Sequence, residues 1–324
     1  MSYLVHGVSV AVAGSWGELE AAIDGRLRPF LAPAGASPDL RMDYVAVPDA
    51  RSHVVPPPPA TARPVYTGPA GEVRYSDGDD SLWLSVGDRV RARVDLGGGT
   101  LLASVENPGP AEVWLLSHPL LTVPLLEVLK RRSRFGLHAA GASRDGLAVL
   151  LPGGSGAGKS TLALALLHAG FPLLSDDTVY LEATPSGDVA VLAFPDEIDL
   201  SDETIALFPE LVHLLDTPRP AGWPKRPYRP GSAWFDASLP AMRPAALVFP
   251  RVARCSTSRI EPMAEHEALL ELVPNILLTD PGSAEAHLDA LGALCRQCPS
   301  FRLHTGTDLE RLPERLFQLI DTAG

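Results

Sequence analysis

The segment from Gly153 to Ser160 constrains this chain more than any other, because it reads G-x-x-x-x-G-K-S, the pattern of a phosphate-binding loop. An apolar run at 147–151 precedes it and predicts a buried strand, and an apolar stretch at 161–169 follows it and predicts a helix. Glycines at such a turn let backbone N–H groups face an anion, and the helix start adds a positive dipole end. The segment therefore predicts a polyphosphate site on an α/β fold.

The residues expected to surround the phosphates are consecutive: Gly153, Gly154, Ser155, Gly156, Ala157, Gly158, Lys159, Ser160 and Thr161. Lys159 is expected to reach the β- and γ-phosphates of ATP, and the Ser160 hydroxyl is expected to join the shell of a Mg²⁺ ion. ATP and Mg²⁺ are therefore the cofactors that this loop predicts.

Two acidic residues, Asp176 and Asp177, follow an apolar run at 171–174 that predicts the strand returning from the helix. One carboxylate at the end of such a strand can hold Mg²⁺, and its neighbour can accept the proton of an attacking hydroxyl. We expect Asp176 to share the metal with Ser160. Which of the two carboxylates is the base stays open at this stage.

His138 lies 21 residues before Lys159, on the strand predicted to precede the loop strand. Taken alone, a histidine in an apolar strand is more often a packed structural residue than a catalytic one. Its role as a candidate depends on the family resemblance described below.

The composition excludes several classes of protein. The formal net charge of −12 argues against broad binding to nucleic acid or to an anionic membrane surface. No apolar run is long enough to span a membrane, and the N-terminal residues do not read as a signal peptide. With only three cysteines, a disulfide scaffold is not expected. The chain is therefore expected to be cytoplasmic.

The chain is predicted to have two domains, 1–112 and 113–324. The first reads as a small α+β unit of antiparallel strands, with turn signals between short apolar segments. The second carries the loop, and its pattern predicts the strands and helices of an α/β domain. The pair Cys295 and Cys298 is interpreted as structural, and the acidic run at 76–80 as a hairpin turn.

Four segments together resemble the HPr kinase/phosphorylase family, and more closely the related kinases that phosphorylate lasso-peptide precursors. They are the run 136–140, the turn at 145–146, the loop at 153–161 and the run 174–177. The likeness covers about residues 115–320. By this resemblance, the functional residues of the family correspond to His138, Lys159, Ser160, Asp176 and Asp177.

This resemblance implies a phosphoenolpyruvate carboxykinase-like P-loop domain with a mixed sheet, and ATP-dependent phosphorylation of a serine hydroxyl. One of the two aspartates would be the base, and His138 would lie near the phosphoryl path or orient an aspartate. Relatives often self-associate, so a homo-oligomer is compatible with the resemblance. The Arg- and Gly-rich second signature of the family is not found, so the resemblance does not extend to phosphorolysis or to HPr.

We therefore expect a kinase that phosphorylates a Ser or Thr hydroxyl of a peptide or small protein, plausibly a ribosomally made peptide precursor. The first domain is expected to help bind that partner. Two alternatives stay open, a small-molecule kinase and a non-catalytic module that senses ATP. A basic residue beyond the loop is expected to touch the transferring phosphate, and the candidates are Lys225, Arg226 and Arg229.

Overall fold

The computed structural model describes the chain apart from residues 16, 34–36, 69–70, 220–223, 231–240, 254 and 322–324. It is a mixed α/β protein with two main mixed sheets of eight strands each. The chain forms two compact units, and the described residues of the first lie within Met1–Arg132 and Leu277–Ala284. Among the described residues, none of the helices combines the length and apolar character that a membrane span requires.

The sheet of the first unit has the order β1-β2-β3-β8-β7-β6-β5-β4. Its strands are β1 (Ser2–Val5), β2 (Val8–Gly14), β3 (Leu40–Val47), β4 (Arg63–Gly68), β5 (Gly71–Ser76), β6 (Ser81–Val86), β7 (Val90–Asp95) and β8 (Thr100–Glu106). Alternate residues of β7, Val90, Ala92 and Val94, are buried, as expected where one face of a sheet covers a core.

The prediction of antiparallel strands in this unit is wrong for one strand, β3. β3 runs parallel to both β2 and β8. Parallel pairing needs a long connection between the strands, and the long connections on either side of β3 permit it. The remaining pairs are antiparallel, and the acidic run at 76–80 forms the turn between β5 and β6, as predicted.

The helices are α1 (Gly17–Leu27), α2 (Pro110–Lys130), α3 (Lys159–His168), α4 (Asp202–Ala206), α5 (Glu265–Leu272), α6 (Pro281–Gln297) and α7 (Leu312–Asp321). Short 3₁₀ segments occupy Arg28–Phe30, Ala50–Ser52, Pro209–Asp216, Val273–Asn275 and Leu309–Arg311. The Tyr44 hydroxyl of β3 donates to the Leu120 carbonyl of α2 at 3.0 Å. This buried contact helps explain why α2 lies in the first unit, whereas the sequence suggested a division after residue 112.

The sheet of the second unit has the order β13-β12-β9-β10-β16-β18-β17, and β11 also pairs with β9. Its strands are β9 (Arg134–Arg144), β10 (Leu147–Pro152), β11 (Leu173–Ser175), β12 (Thr178–Ala183), β13 (Val189–Leu192), β16 (Arg243–Val252), β17 (Arg259–Met263) and β18 (Ser300–Thr305). A separate two-stranded sheet joins β14 (Ile198–Leu200) to β15 (Arg226–Tyr228).

Helices cover both faces of this second sheet. Val149 and Leu151 of β10 pack into one core with residues of α3 and α7, whereas Ala148 and Leu150 pack into another with residues of α5 and α6. A strand buried on both faces reads as a continuous apolar run, which is why 147–151 is apolar throughout.

Strand direction decides where the loops of this unit lie. β10, β16 and β18 are mutually parallel, and β11 is parallel to β10 because both pair antiparallel with β9. The carboxyl ends of all four strands therefore meet at one edge of the sheet, where ligands of open α/β sheets bind. The loop after β10 and the residues after β11 lie at this edge.

We expect Leu316→Ala to lower the free energy of unfolding by about 2–5 kcal/mol, because Leu316 of α7 is fully buried in the core beside α3. Leu207→Ala is the matched control: Leu207 is 54% exposed, and its truncation should change the free energy by less than about 0.5 kcal/mol. Urea denaturation followed by circular dichroism measures both. Equal losses in the two variants would contradict this packing of α7.

Candidate functional site

The loop at 153–158 connects the end of β10 to the start of α3. Gly153, Gly156 and Gly158 have φ angles of +155°, +79° and +101°, a region that side chains disfavour. Gly158 is the N-cap of α3 in a left-handed conformation, and its carbonyl accepts the N–H of Leu162. The N–H groups at the start of α3 precede this bond and have no partner within the helix. The glycines thus allow a tight turn that presents donors at a helix start.

Lys159 connects this loop to the neighbouring strand. Its Nζ donates to the carbonyls of Gly153 at 2.6 Å and Gly154 at 3.2 Å, and lies 3.0 Å from Nε2 of His138. An ammonium has three donors, so these contacts use all of them. The Lys159 side chain therefore lies folded against the loop that it is expected to serve.

His138 lies between Lys159 and Asp177. Its Nδ1 is 3.1 Å from Oδ1 of Asp177. Because the ammonium can only donate, Nε2 accepts from Lys159, and the ring proton is on Nδ1 and donates to Asp177. The antiparallel register of β9 and β12, which pairs His138 with Thr178, accounts for this proximity.

Asp177 is oriented by further contacts. Its Oδ2 accepts from the Thr178 hydroxyl at 3.0 Å, and its backbone N–H donates to the Ser175 hydroxyl at 3.2 Å. The same Ser175 oxygen accepts the N–H of Thr178 at 3.0 Å. The carboxyl of Asp177 is half exposed, so an incoming hydroxyl can reach it while the turn keeps it in place.

Asp176 has the opposite environment, since it is only 5% exposed. Its Oδ2 accepts from the Ser160 hydroxyl at 3.1 Å, and its Oδ1 is buried without a hydrogen-bond partner among the described residues. Burial, and secondarily the charge of Asp177, raise the pKa of Asp176 to about 6. A buried carboxylate oxygen without a donor next to a serine hydroxyl fits the oxygen ligands that Mg²⁺ prefers.

The three basic candidates beyond the loop differ in their contacts. Arg226 bonds to Asp202 and to the carbonyls of Leu215 and Thr217, and Arg229 pairs with Glu197 at 3.2 Å. These contacts are structural. Lys225, by contrast, acts on the site electrostatically: its charge lowers the pKa of Asp176 and helps to lower that of Lys159.

Burial is the main cause that lowers the pKa of Lys159, and the two aspartates oppose it. The predicted group of His138, Lys159, Ser160, Asp176 and Asp177 is thus brought together at one edge of the sheet. Thr161 differs, because its hydroxyl contacts that of Thr204 in α4 at 3.0 Å. The Thr161 hydroxyl is therefore engaged with α4, and only its backbone N–H stays a candidate for binding phosphate.

The sequence reading missed two positions near the site. Ser175 organises the turn that separates the two aspartates, and Thr204 fixes α4 against α3. A serine directly before two acids at a strand end is a signal that could have identified the first, since such hydroxyls often bond backbone N–H groups two or three residues on. Nothing local identifies Thr204, which is 43 residues from Thr161.

Other chemistry-bearing groups lie apart from this site. Cys295 and Cys298 are buried free thiols near the end of α6, and burial raises their pKa values to about 11 and about 12. Such thiols are unreactive, in keeping with the structural interpretation of this pair. In the part of the chain that the structure describes, no group of three or more His, Cys, Asp or Glu side chains could hold a metal ion.

In the metal-free protein, the contribution of Asp176 to the free energy of unfolding should fall by roughly 3 kcal/mol as pH rises from about 4 to about 6. The folded state binds the proton of Asp176 more tightly than the unfolded state, whose pKa is near 3.8. Asp176→Asn removes this titration. Urea denaturation of both proteins in a chelator at several pH values measures the difference, and parallel profiles would contradict the environment described for Asp176.

No protein-family model matches this sequence. A search of curated proteins also finds no match. The function therefore has to be inferred from the residues of the site themselves.

Proposed function

We propose that this protein is an ATP- and Mg²⁺-dependent kinase that transfers the γ-phosphate to a Ser or Thr hydroxyl of a peptide or small protein. The observation that carries the proposal is the continuous set of contacts from the loop through Lys159 and His138 to Asp177, next to the Ser160–Asp176 pair. Phosphoryl transfer needs phosphate positioning, a metal site and a group that handles the attacking oxygen. These contacts support each of the three roles.

The first role belongs to the loop and Lys159. Backbone N–H groups between Gly153 and Thr161 would hold the phosphate oxygens, and Gly154 and Gly156 leave open space where a side chain would otherwise project. On binding, the Lys159 ammonium would exchange its loop carbonyls for oxygens of the β- and γ-phosphates. Because burial lowers its pKa, an added anion restores the stability of the charged form.

The second role belongs to Ser160 and Asp176. Mg²⁺, when bound, supplies charge neutralisation for the phosphate oxygens. The Ser160 hydroxyl and the buried Asp176 carboxylate would hold it, and Oδ1 of Asp176 supports this assignment because it has no donor among the described residues. Binding requires Asp176 to lose its proton, so the affinity for the metal should increase as pH rises through about 6.

The third role belongs to Asp177. Its exposed carboxylate would accept the proton of the acceptor hydroxyl as that oxygen forms a bond to the γ-phosphorus and the bond from phosphorus to the β–γ bridging oxygen breaks, leaving ADP. His138 donates to Oδ1 of this carboxylate and would hold it in position. Because Asp176 is buried and Asp177 is exposed, this proposal assigns the metal to Asp176 and the role of base to Asp177.

The identity of the acceptor rests on the resemblance to kinases related to HPr kinase. It suggests a peptide or small-protein acceptor, a catalytic domain of the phosphoenolpyruvate carboxykinase-like kind, and a first unit that binds the partner. The mixed sheet of the second unit, with the loop after a central strand and the aspartates after β11, supports this fold assignment.

Purified protein incubated with ATP, Mg²⁺ and candidate precursor peptides should add one phosphate to a peptide, detected by mass spectrometry. Lys159→Ala should lower the rate by more than about 100-fold, since it removes the charge nearest the transferred group. Asp188→Asn, in an exposed turn of the same unit, is the control and should leave the rate unchanged.

The outcomes separate the alternatives. Phosphorylation of a metabolite but of no peptide would mean that the acceptor is a small molecule. Tight ATP binding without any acceptor-dependent release of ADP would favour a sensor. Absence of both binding and transfer would contradict the proposal.

Asp177→Asn and Asp176→Asn should fail in different ways. Without its base, the Asp177 variant should have a kcat that is lower by about 10²–10⁴-fold, while its affinity for Mg·ATP stays near that of the unmodified protein. The Asp176 variant should instead need much higher Mg²⁺ for half-maximal rate. Initial rates across a Mg²⁺ titration, with ATP binding followed by calorimetry, distinguish them. Identical Mg²⁺ dependence in the two variants would overturn the division of roles.

A further inference from the structure

An exposed apolar side chain lies against the phosphate loop on the side away from the aspartates. Val252 ends β16 and is 69% exposed, although the stretch 244–250 of the same strand is buried. Its Cγ2 lies 3.4 Å from the point where a Cβ on Gly158 would sit. Similarly, Cδ of Pro250 lies 3.9 Å from the point where a Cβ on Gly153 would sit. The carboxyl end of β16 is therefore the wall of the loop on this side.

The chain after Val252 is fastened to the end of β18. The N–H of Ala253 donates to the Thr305 carbonyl at 2.9 Å, and the N–H of Thr307 donates to the Cys255 carbonyl at 3.1 Å. The Ser258 hydroxyl accepts the N–H of Gly306 at 2.8 Å. These bonds tie the segment to the strand end.

Polar groups and one thiol are exposed on this segment. Cys255, Ser256 and Thr257 are all exposed, and the Cys255 thiol donates to the Thr257 carbonyl at 3.3 Å. The segment therefore offers an apolar contact at Val252 followed by hydroxyls and backbone groups that can bond to a polar edge.

The sheet order gives the direction of a bound nucleotide. His138, Asp176 and Asp177 lie on the β9 and β11 side of β10, whereas β16 and β18 lie on its other side. If the γ-phosphate faces the aspartates, the nucleoside at the opposite end of the triphosphate extends toward the carboxyl ends of β16 and β18. Those ends carry Val252 and the segment that follows it.

We infer that Val252 and the exposed residues Cys255–Thr257 form the surface that binds the nucleobase of the nucleoside triphosphate. The flat apolar face of the base covers the Val252 side chain, and the hydroxyls and backbone groups that follow bond to its polar edge. This inference rests on the proposed function, because it needs the triphosphate in the loop at 153–158. It adds the residues that would recognise the base.

Cys255 provides a direct probe. It is three residues beyond Val252, a reach of about 10 Å at most, and the other two cysteines of the chain are buried. The rate of alkylation by iodoacetamide is measured by peptide mass spectrometry, with Mg²⁺ present, for the free protein and with ATP or inorganic tripolyphosphate added. Calorimetry measures the binding of each ligand independently. Cys255→Ser identifies the labelled site.

We expect ATP to slow the alkylation of Cys255 by about tenfold or more, because a base over Val252 shields the thiol, whereas tripolyphosphate binds without protecting it. Val252→Asn, which removes the apolar contact without adding a charge beside the phosphates, should weaken ATP binding by roughly tenfold, the value of one lost apolar contact, and leave tripolyphosphate binding unchanged. Leu270→Asn is the control, since Leu270 of α5 is 71% exposed and is not part of this surface.

Each other outcome overturns the inference. Equal protection by ATP and tripolyphosphate would mean that the loop changes around the phosphates rather than that a base covers Val252. ATP binding with no protection, and with normal affinity in Val252→Asn, would place the base elsewhere while leaving the kinase proposal intact. No binding of either ligand would remove the proposed function itself, and the base site with it.

Discussion

The site depends on the way the Lys159 ammonium is held. It donates to two carbonyls of its own loop and to His138. These bonds keep a largely buried charge solvated by protein dipoles, which limits the cost of taking it out of water. They also determine the proton position on His138 and, through it, the orientation of Asp177. One side chain therefore links the loop geometry to the acid expected to handle the acceptor proton.

The second constraint is the direction of the strands. Four strands, β10, β11, β16 and β18, end at one edge of the sheet, so the loop, the aspartates and the exposed wall at Val252 come from distant parts of the chain yet face the same space. β9 runs the opposite way between β10 and β12, and this places His138 beside the start of α3. The same sheet thus separates an acidic side from an apolar side, with the loop at 153–158 between them.

Much of the site could be predicted from sequence, because its signals are local. The glycines and Lys159 follow an apolar run directly, and the two aspartates follow another. The different environments of Asp176 and Asp177 could not be predicted, since they follow from a turn made by Ser175 and from burial under Ser160. Tertiary contacts of this kind leave no periodic pattern in a single sequence.

The first unit shows the same limit. Most of its strands were predicted from alternating apolar residues and turn signals, but the parallel pairing of β3 with β2 and β8 was not. Strand pairing across long connections depends on which apolar faces meet, not on local propensity. The exposed position of Val252 could not be predicted either. In the sequence, one valine at the end of an apolar strand is indistinguishable from the buried residues before it.

A crystal structure with Mg²⁺ and a non-hydrolysable ATP analogue would test the central claim most directly. The account predicts that Nζ of Lys159 leaves the Gly153 carbonyl and lies about 3 Å from oxygens of the β- and γ-phosphates. It also predicts that Ser160 and Asp176 face the metal and that the Asp177 carboxylate lies open toward the γ-phosphate. A nucleotide bound elsewhere, with Lys159 still bonded to its own loop and to His138, would contradict it.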